Sequence, residues 1–481
     1  MDLHHSVVSD VFYLTDSYKV THYNQYPPGT THVYSYFESR GGMFDEVCFF
    51  GLQYILKRWL CGPVVNGEKI QEAKEFFRDH FNGADIFNEK GWRYIVEKHG
   101  GKLPLRVKAI PEGTTVPTHN VLFTVENTDP NVPWLVGWFE TVLVQVWYPM
   151  TVCTISRAHK KVIAKYMRET CESMDGLEFK LHDFGYRGCT SVESAAIGDA
   201  GHLVNFMGTD TIAGLRLCRK YYNCPMAGFS IPAAEHSTVT AWGHRNEAAA
   251  FRRVLEQYPT GLVSVVSDSY DVFDAVENIW GNELKELVLR REGKGCLVIR
   301  PDSGDPSKVV VKILELLGRS FGSTVNAKGY KELPPYIRVI QGDGINYNSC
   351  ADLLQSMMDA GWSAANIVFG EGGSLVQKIN RDTQKCAFKC SSITVNGENR
   401  VVFKDPVTDP MKRSKKGRLT LERRQDKIVT VEEDMGDPDK DLLMTVFENG
   451  QLIRDWTLDE IRARANADLY DDVGNAVNGS V

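Results

Sequence analysis

Leu297-Val298-Ile299-Arg300 is a short apolar run that ends on a cation and is followed by Pro301-Asp302. The same pattern, an apolar stretch closed by a polar cluster and followed by a helix-like segment, recurs on both sides of it. Upstream stand Phe179-Lys180-Leu181-His182-Asp183, Val204-Asn205-Phe206 before Gly208-Thr209-Asp210, Phe229-Ser230-Ile231-Pro232 before Glu235-His236, and Val263-Ser264-Val265-Val266 before Asp268. Downstream stand Ile337-Arg338-Val339-Ile340 before Gly342-Asp343, and Ile367-Val368-Phe369 before Gly370-Glu371-Gly372-Gly373. The repeat length, roughly 25 to 40 residues, is that of a βα unit. Seven such units predict an irregular (β/α) barrel of parallel strands rather than an antiparallel sheet; an open doubly wound sheet has the same spacing.

The flanking segments read differently. Residues 1–150 mix strand signals, such as His32 to Phe37 and the Pro/Gly-broken run from Pro104 to Val125, with a helix signal over Gly51 to Leu60. They predict an α/β layer. Beyond about residue 390 the chain is strand-rich and charged, with one basic run at Lys412 to Arg418. The expected organisation is therefore an N-terminal layer over 1–150, a barrel carrying the active-site mouth over 151–389, and a C-terminal segment over 390–481 that packs with the N-terminal layer. Trp134 to Val152 is long and apolar, but Glu140 within it and the absence of flanking Lys/Arg anchors predict a buried core helix, not a membrane span.

Composition narrows the function classes. The chain has 481 residues, 43% hydrophobic and 24% charged, with a formal net charge of −7. A mildly acidic chain is a poor general binder of nucleic-acid phosphates, although a local basic pocket remains compatible with it. Eleven cysteines without a repeating framework, and an N-terminus without an apolar leader, predict a reducing, cytoplasmic setting.

In a (β/α) barrel the polar residues after the strands share one face, where active sites are built. Asp or Gly after a single strand is commonly only a turn or a cap; seven consecutive units with such endings point to a mouth. Gly370 to Gly373 is a glycine-rich turn ahead of a helix, suited to phosphate approach, without the pattern of a dinucleotide fold or a Walker loop. Arg187, Arg300, Arg381 and Lys389 would neutralise a polyanion if they converge, and Asp268, Asp302 and Asp343 offer acceptors for sugar hydroxyls or for Mg²⁺. The alternative is a structural ion-pair ring. His236 is either a helix-terminal histidine beside Glu235 or a base or nucleophile facing phosphate; spacing leaves both open.

Combined motifs carry a resemblance. Thr15-Asp16-Ser17-Tyr18-Lys19-Val20-Thr21-His22-Tyr23, LHDFGYRG at 181–188, GTDTIAG at 208–214, PAAEHST at 232–238, VVSDSYD at 265–271, IRPDSG at 299–304, QGDG at 341–344 and KDPVTDPMKRSKKGRL at 404–419 resemble the nicotinamide phosphoribosyltransferases. The resemblance runs from about residue 10 to 460. It implies the type II phosphoribosyltransferase fold, an irregular barrel plus a layer built from both chain ends, and a homodimer whose active sites are shared between subunits.

The resemblance also implies roles. Phe184 stacks on nicotinamide, with the partner subunit's Tyr18 on the other face. Arg187, His236 and Arg300 bind diphosphate, while Arg300, Asp302, Gly342, Asp343, Gly372, Gly373 and Arg381 hold the ribonucleotide. Asp268 lies near Mg²⁺, and His236 is phosphorylated by ATP, a facultative activator. His236, Asp268 and Asp302 form the catalytic group; Arg40, Lys389, Lys404 and Lys412 are further phosphate candidates. Asp210 would accept an amide N–H of nicotinamide, or else caps the next helix. Two positions depart from the pattern and bear on ATP coupling: Ala387 stands where Ser is expected, and Ser374 where Gly is.

The implied reaction joins nicotinamide to 5-phosphoribosyl 1-diphosphate, giving nicotinamide mononucleotide and diphosphate in NAD salvage. Nicotinate phosphoribosyltransferase shares the architecture but selects a carboxylate. A sugar-phosphate lyase or isomerase would need a Schiff-base lysine or an acid/base pair at the mouth, and a non-catalytic nucleotide-binding protein would need no intact Arg/Asp/His set.

Overall fold

Asp305 accepts hydrogen bonds from the Ser307 and Lys308 amides and Pro306 opens the helix Pro306–Phe321, whose Val310, Ile313, Leu314 and Leu317 are buried at helical spacing. Asn346 caps Tyr347–Asp359 and Ser191 caps Val192–His202 in the same way. These helices alternate with strands that are apolar on both faces, such as Gly261–Val266 and Gly295–Arg300, as a covered parallel sheet requires. The computed structural model describes residues 10–408, 413–467 and 469.

The chain forms two compact units. One comprises the described residues of Met1–Thr154, Lys220–Asn223 and Asn380–Ala465; the other comprises those of Ile155–Arg219, Cys224–Ile379 and Asn466–Val481.

The second unit is built on a curled parallel sheet. Its strand order is Gly208–Thr209, Leu181–Asp183, Ile367–Glu371, Ile337–Gln341, Gly295–Arg300, Gly261–Val266. Six strands stand where seven βα units are expected. The segment from Phe229 makes only single parallel bridges, Phe229 with Gly208 and Ala233 with Ser264, each to an edge strand. Pro232 has no N–H to extend a ladder, and its carbonyl accepts the Ser264 amide at 2.9 Å. Val204 to Phe206 is not a strand either: it follows the helix Val192–His202 with its apolar side chains buried, and pairing begins at Gly208. Of the expected irregular barrel, the structure shows a curled parallel sheet of mixed α/β type, with the segment from Phe229 bridging to its two edge strands in place of a seventh strand.

The first unit holds an antiparallel seven-stranded sheet, in the order Glu398–Val401, Cys386–Val395, Thr30–Ser39, Val121–Asn127, Leu105–Ala109, Met444–Glu448, Gln451–Leu452. Segments from both halves of the chain interleave in it. Thr30–Ser39 pairs with Cys386–Val395 on one side and Val121–Asn127 on the other, and Phe37 stacks on Phe123 at 4.9 Å. The run 134–152 is not one helix but Leu135–Trp138, Glu140–Val144 and the start of Trp147–Thr170. Pro149 falls in the first turn of that last helix, where its missing N–H would have no partner anyway. No helix among the described residues is long and apolar enough to cross a membrane.

Candidate active site

Strand ends of the parallel sheet position the mouth residues. Phe184 follows Leu181–Asp183, and its amide donates to the Glu371 carbonyl of the neighbouring strand end at 2.8 Å. Its ring packs with Ile231 and Val368 on Cys296, Val298 and Ile340. Two glycines make that possible. A Cβ on Gly370 would lie 2.0 Å from Phe184 Cε2, and one on Gly342 would lie 3.3 Å from it. Gly342, read from sequence as a ribose contact, therefore also leaves room for an aromatic plate. Gly373 differs: a Cβ there would meet nothing within 4 Å, so its backbone faces open space.

Asp210 follows the strand Gly208–Thr209, and its amide donates to the Asp183 carbonyl at 3.0 Å. His182 Nε2 is 3.0 Å from Asp210 Oδ1, and the Ser230 hydroxyl donates to the same oxygen. Burial pushes the Asp210 carboxyl up, but the hydrogen bonds from His182 and Ser230 and the Arg300 charge prevail and hold it below its ordinary value. The His182 ring centroid lies 4.9 Å from that of Phe184. His182 thus neighbours both the Phe184 ring and the Asp210 carboxylate.

His236 opens the short helix His236–Thr240, where Glu235 forms a capping box with Thr238. Its Nε2 is 3.0 Å from Asp268 Oδ1, while Nδ1 lies 3.9 Å from Asp302 Oδ2. The second oxygen of Asp268 accepts from Ser303 Oγ at 2.6 Å. Asp268 is 6% exposed and His236 42%, so the carboxylate is fixed inside and the imidazole faces out. Burial raises the Asp302 carboxyl, Asp268 and Asp343 add to this, and Arg300 and His236 oppose it. Arg300 Nη2 donates to the Ala234 carbonyl at 3.3 Å, and its buried Nε has no hydrogen-bond partner among the described residues. Arg187 is exposed on the turn Tyr186–Gly188.

Below this mouth lies a buried polar layer that the sequence reading did not single out. Asp183 accepts from the Gly185 amide at 2.7 Å and the Thr211 hydroxyl at 2.8 Å; Asp199 accepts from Thr209 at 2.7 Å. Glu371 sits 3.0 Å from His159 Nε2, both fully buried. Ser374 Oγ donates to the Ile345 carbonyl at 2.9 Å, tying the glycine-rich turn to its neighbour. His182 was detectable, since strand alternation puts it on one face with Phe184. Ser230 and Ser303 gave no pattern of their own.

The remaining candidates lie in the first unit. A cavity of about 740 Å³ is lined there by Asp16, Tyr18, Arg40, Glu140, Arg381, Lys389 and Lys404 together with Ala387 and Lys385. Burial presses the Lys389 ammonium below its ordinary value, and the nearby Arg40, Lys404 and Arg381 cations add to this against Glu140. Arg40 is ion-paired to Glu38 at 2.6 Å, yet its buried Nη2 has no hydrogen-bond partner among the described residues. Converging, partly unpaired cations are what an anion site requires. Arg381 belongs with this cavity in one unit, while Gly373 belongs to the other. Lys412 lies outside the described residues.

Comparison with known proteins gives a consistent picture. Residues 179–451 match the model of the nicotinate phosphoribosyltransferase (NAPRTase) family, and residues 10–107 match the nicotinamide phosphoribosyltransferase N-terminal domain. The chain is 50% identical over 463 residues to a nicotinamide phosphoribosyltransferase of Xanthomonas campestris pv. campestris, covering 94% of this chain and 97% of that one. It is 35% identical to one of Acinetobacter baylyi, covering 93% and 95%. In fold it is similar to the nicotinate-nucleotide pyrophosphorylase of Pyrococcus furiosus, with a TM-score of 0.60, 14% identity and coverage of 98% and 99%. Human nicotinic acid phosphoribosyltransferase aligns with a TM-score of 0.53, 17% identity and coverage of 95% and 93%.

Proposed function

For a chain that belongs to the nicotinate phosphoribosyltransferase (NAPRTase) family, we propose transfer of the 5-phosphoribosyl group from 5-phosphoribosyl 1-diphosphate to nicotinamide. The products are nicotinamide mononucleotide and diphosphate. The observation that carries the choice of base is Asp210, a carboxyl held below its ordinary value and bonded to His182, whose ring neighbours that of Phe184. A neutral amide donates an N–H to it; nicotinate would set a second negative charge against it. Replacing Asp210 by Ser tests this: kcat/KM for nicotinamide falls and that for nicotinate rises, whereas an unchanged ratio refutes the assignment.

The ring nitrogen of nicotinamide attacks C1 of the ribose as the C1–O bond to diphosphate breaks and its electron pair leaves with the diphosphate. The nitrogen is already nucleophilic, so the protein's task is positioning and charge stabilisation. Phe184 orients the base. Arg300, Arg187 and His236 face the diphosphate, while Asp302, Asp343 and the Gly372-Gly373 backbone face the ribose and its phosphate. Mg²⁺ suits hard oxygen ligands and is commonly held by one or two carboxylates plus substrate phosphates. Both Asp268 oxygens are engaged by His236 and Ser303, so Asp302 and Asp343, which interacts with it electrostatically, would be further carboxylates for the cation beside Asp268. When bound, the cation supplies positive charge to the departing diphosphate.

ATP assistance enters through His236. The tautomer that donates Nε2–H to Asp268 would keep the lone pair on Nδ1, the nitrogen that lies 3.9 Å from Asp302 Oδ2. That nitrogen would take the γ-phosphoryl group as the bond to ADP breaks. The first-unit cavity, lined by Tyr18 as well as by cations, supports a homodimer in which it would complete the partner's mouth. Eleven cysteines without a repeating framework support a reducing, cytoplasmic location.

A further inference from the structure

His182 is not an obvious ligand of any substrate in this reaction, yet it is built into the base-selecting end of the mouth. Its Nε2 reaches Asp210 Oδ1 at 3.0 Å, and Ser230 donates to the same atom from the opposite neighbour in the fold. The ring is wedged in place: a Cβ on Gly208 would come within 2.8 Å of His182 Nδ1, so only glycine leaves the imidazole where it lies. With 13% of the side chain exposed, His182 is not a solvent-facing histidine that happens to meet a carboxylate.

Two donors on one oxygen have a defined consequence. They fix the carboxylate plane, and they satisfy Oδ1 so that Oδ2 is the oxygen left to receive an incoming N–H. They also favour the ionised form, which can accept from an amide but cannot donate to a carboxylate. We propose that His182, seated by Gly208 and acting with Ser230, is a positioning residue that sets selectivity for a neutral amide over a carboxylate through Asp210. The inference rests on the reading of Asp210 given above and extends it to residues that need not touch the base.

The test is the ratio of kcat/KM for nicotinamide to that for nicotinate in the parent, His182→Ala, His182→Gln and Gly208→Ala proteins, each assayed with 5-phosphoribosyl 1-diphosphate and Mg²⁺. A charge-assisted hydrogen bond of this kind corresponds to a change of about tenfold or more. The ratio is expected to fall in His182→Ala and Gly208→Ala and to recover in His182→Gln, whose amide can still donate; KM for the phosphoribosyl donor stays unchanged. Gly208→Ala keeps the histidine and only displaces it, so loss of selectivity there cannot come from the missing side chain. An unchanged ratio in folded His182→Ala protein, or a ratio that rises, overturns the inference. Failure of the parent itself to use nicotinamide would instead overturn the reading of the reaction.

Discussion

His236 and Asp268 form a directed pair: Nε2 of the exposed imidazole is 3.0 Å from Oδ1 of a carboxylate that is itself almost inaccessible and anchored by Ser303 on its other oxygen. The contact orients the imidazole and, under the proposed ATP assistance, leaves Nδ1 as the nitrogen that would meet phosphate. It also separates two effects that mutation can tell apart, loss of the imidazole and loss of its orientation.

Replacing His236 by Ala is expected to abolish stimulation by ATP while slow ATP-independent transfer persists. Asp268→Asn should weaken stimulation by about tenfold or more, because the tautomer is no longer imposed. Initial rates with and without ATP check both. Equal stimulation of the His236→Ala and parent proteins would remove His236 from the phosphoryl step.

Adding one methyl group at Gly370 should damage base binding out of proportion to its size. The Cβ would lie 2.0 Å from Phe184 Cε2, so the ring must move or the strand end must give, at a cost of about 1–3 kcal/mol. Gly370→Ala should therefore raise KM for nicotinamide by about tenfold with little change in KM for the diphosphate donor. Steady-state kinetics with each substrate varied in turn separate the two, and an unchanged nicotinamide KM would show that Phe184 is not the plate.

Much of this was legible in the sequence, and for identifiable reasons. Strands buried on both faces announce themselves as apolar runs, which is why Gly261–Val266, Gly295–Arg300, Ile337–Gln341 and Ile367–Glu371 were expected where they occur. Phe229 to Pro232 looked the same, but a proline cannot continue a ladder, and the segment makes isolated bridges instead. Val204 to Phe206 was misread because burial beneath a helix end produces the same apolar signature as a strand. Catalytic candidates carried by motifs were visible as residues, but their partners were not. Ser230 and Ser303 act through single hydrogen bonds formed in three dimensions, and no local spacing encodes those. Nor did sequence distance reveal that Arg381 lies in one unit with Tyr18 and Arg40.

The proposed sharing of the site between subunits predicts complementation. Tyr18→Ala and Arg300→Ala proteins should each be nearly inactive, and hybrids of the two should regain activity, because one of the two composite sites keeps both native residues. Activity of purified heterodimers is the measurement. No recovery in proven heterodimers would place Tyr18 and Arg300 in the same chain's site or take one of them out of it.

Stability carries a separate signature at Glu112. Buried in the first unit and accepting the Gln53 amide at 2.7 Å, its carboxyl is pushed up to about 7 by burial. The folded state therefore binds a proton more tightly than the unfolded chain does. The resulting stabilisation is complete below the unfolded value near 4.5 and is lost as pH rises toward 7. Glu112→Gln, which keeps the acceptor and has no charge to bury, should escape that loss, amounting to roughly 2–3 kcal/mol. Thermal melts of both proteins between pH 5 and 8 check it; parallel curves would mean that Glu112 is ionised throughout.

The most direct measurement incubates the purified protein with 5-phosphoribosyl 1-diphosphate and Mg²⁺, adds either nicotinamide or nicotinate, and follows diphosphate release together with the nucleotide formed. Stoichiometric diphosphate and nicotinamide mononucleotide with nicotinamide, and little turnover with nicotinate, is the expected result. Preferential turnover of nicotinate, or diphosphate release with neither base, would contradict it.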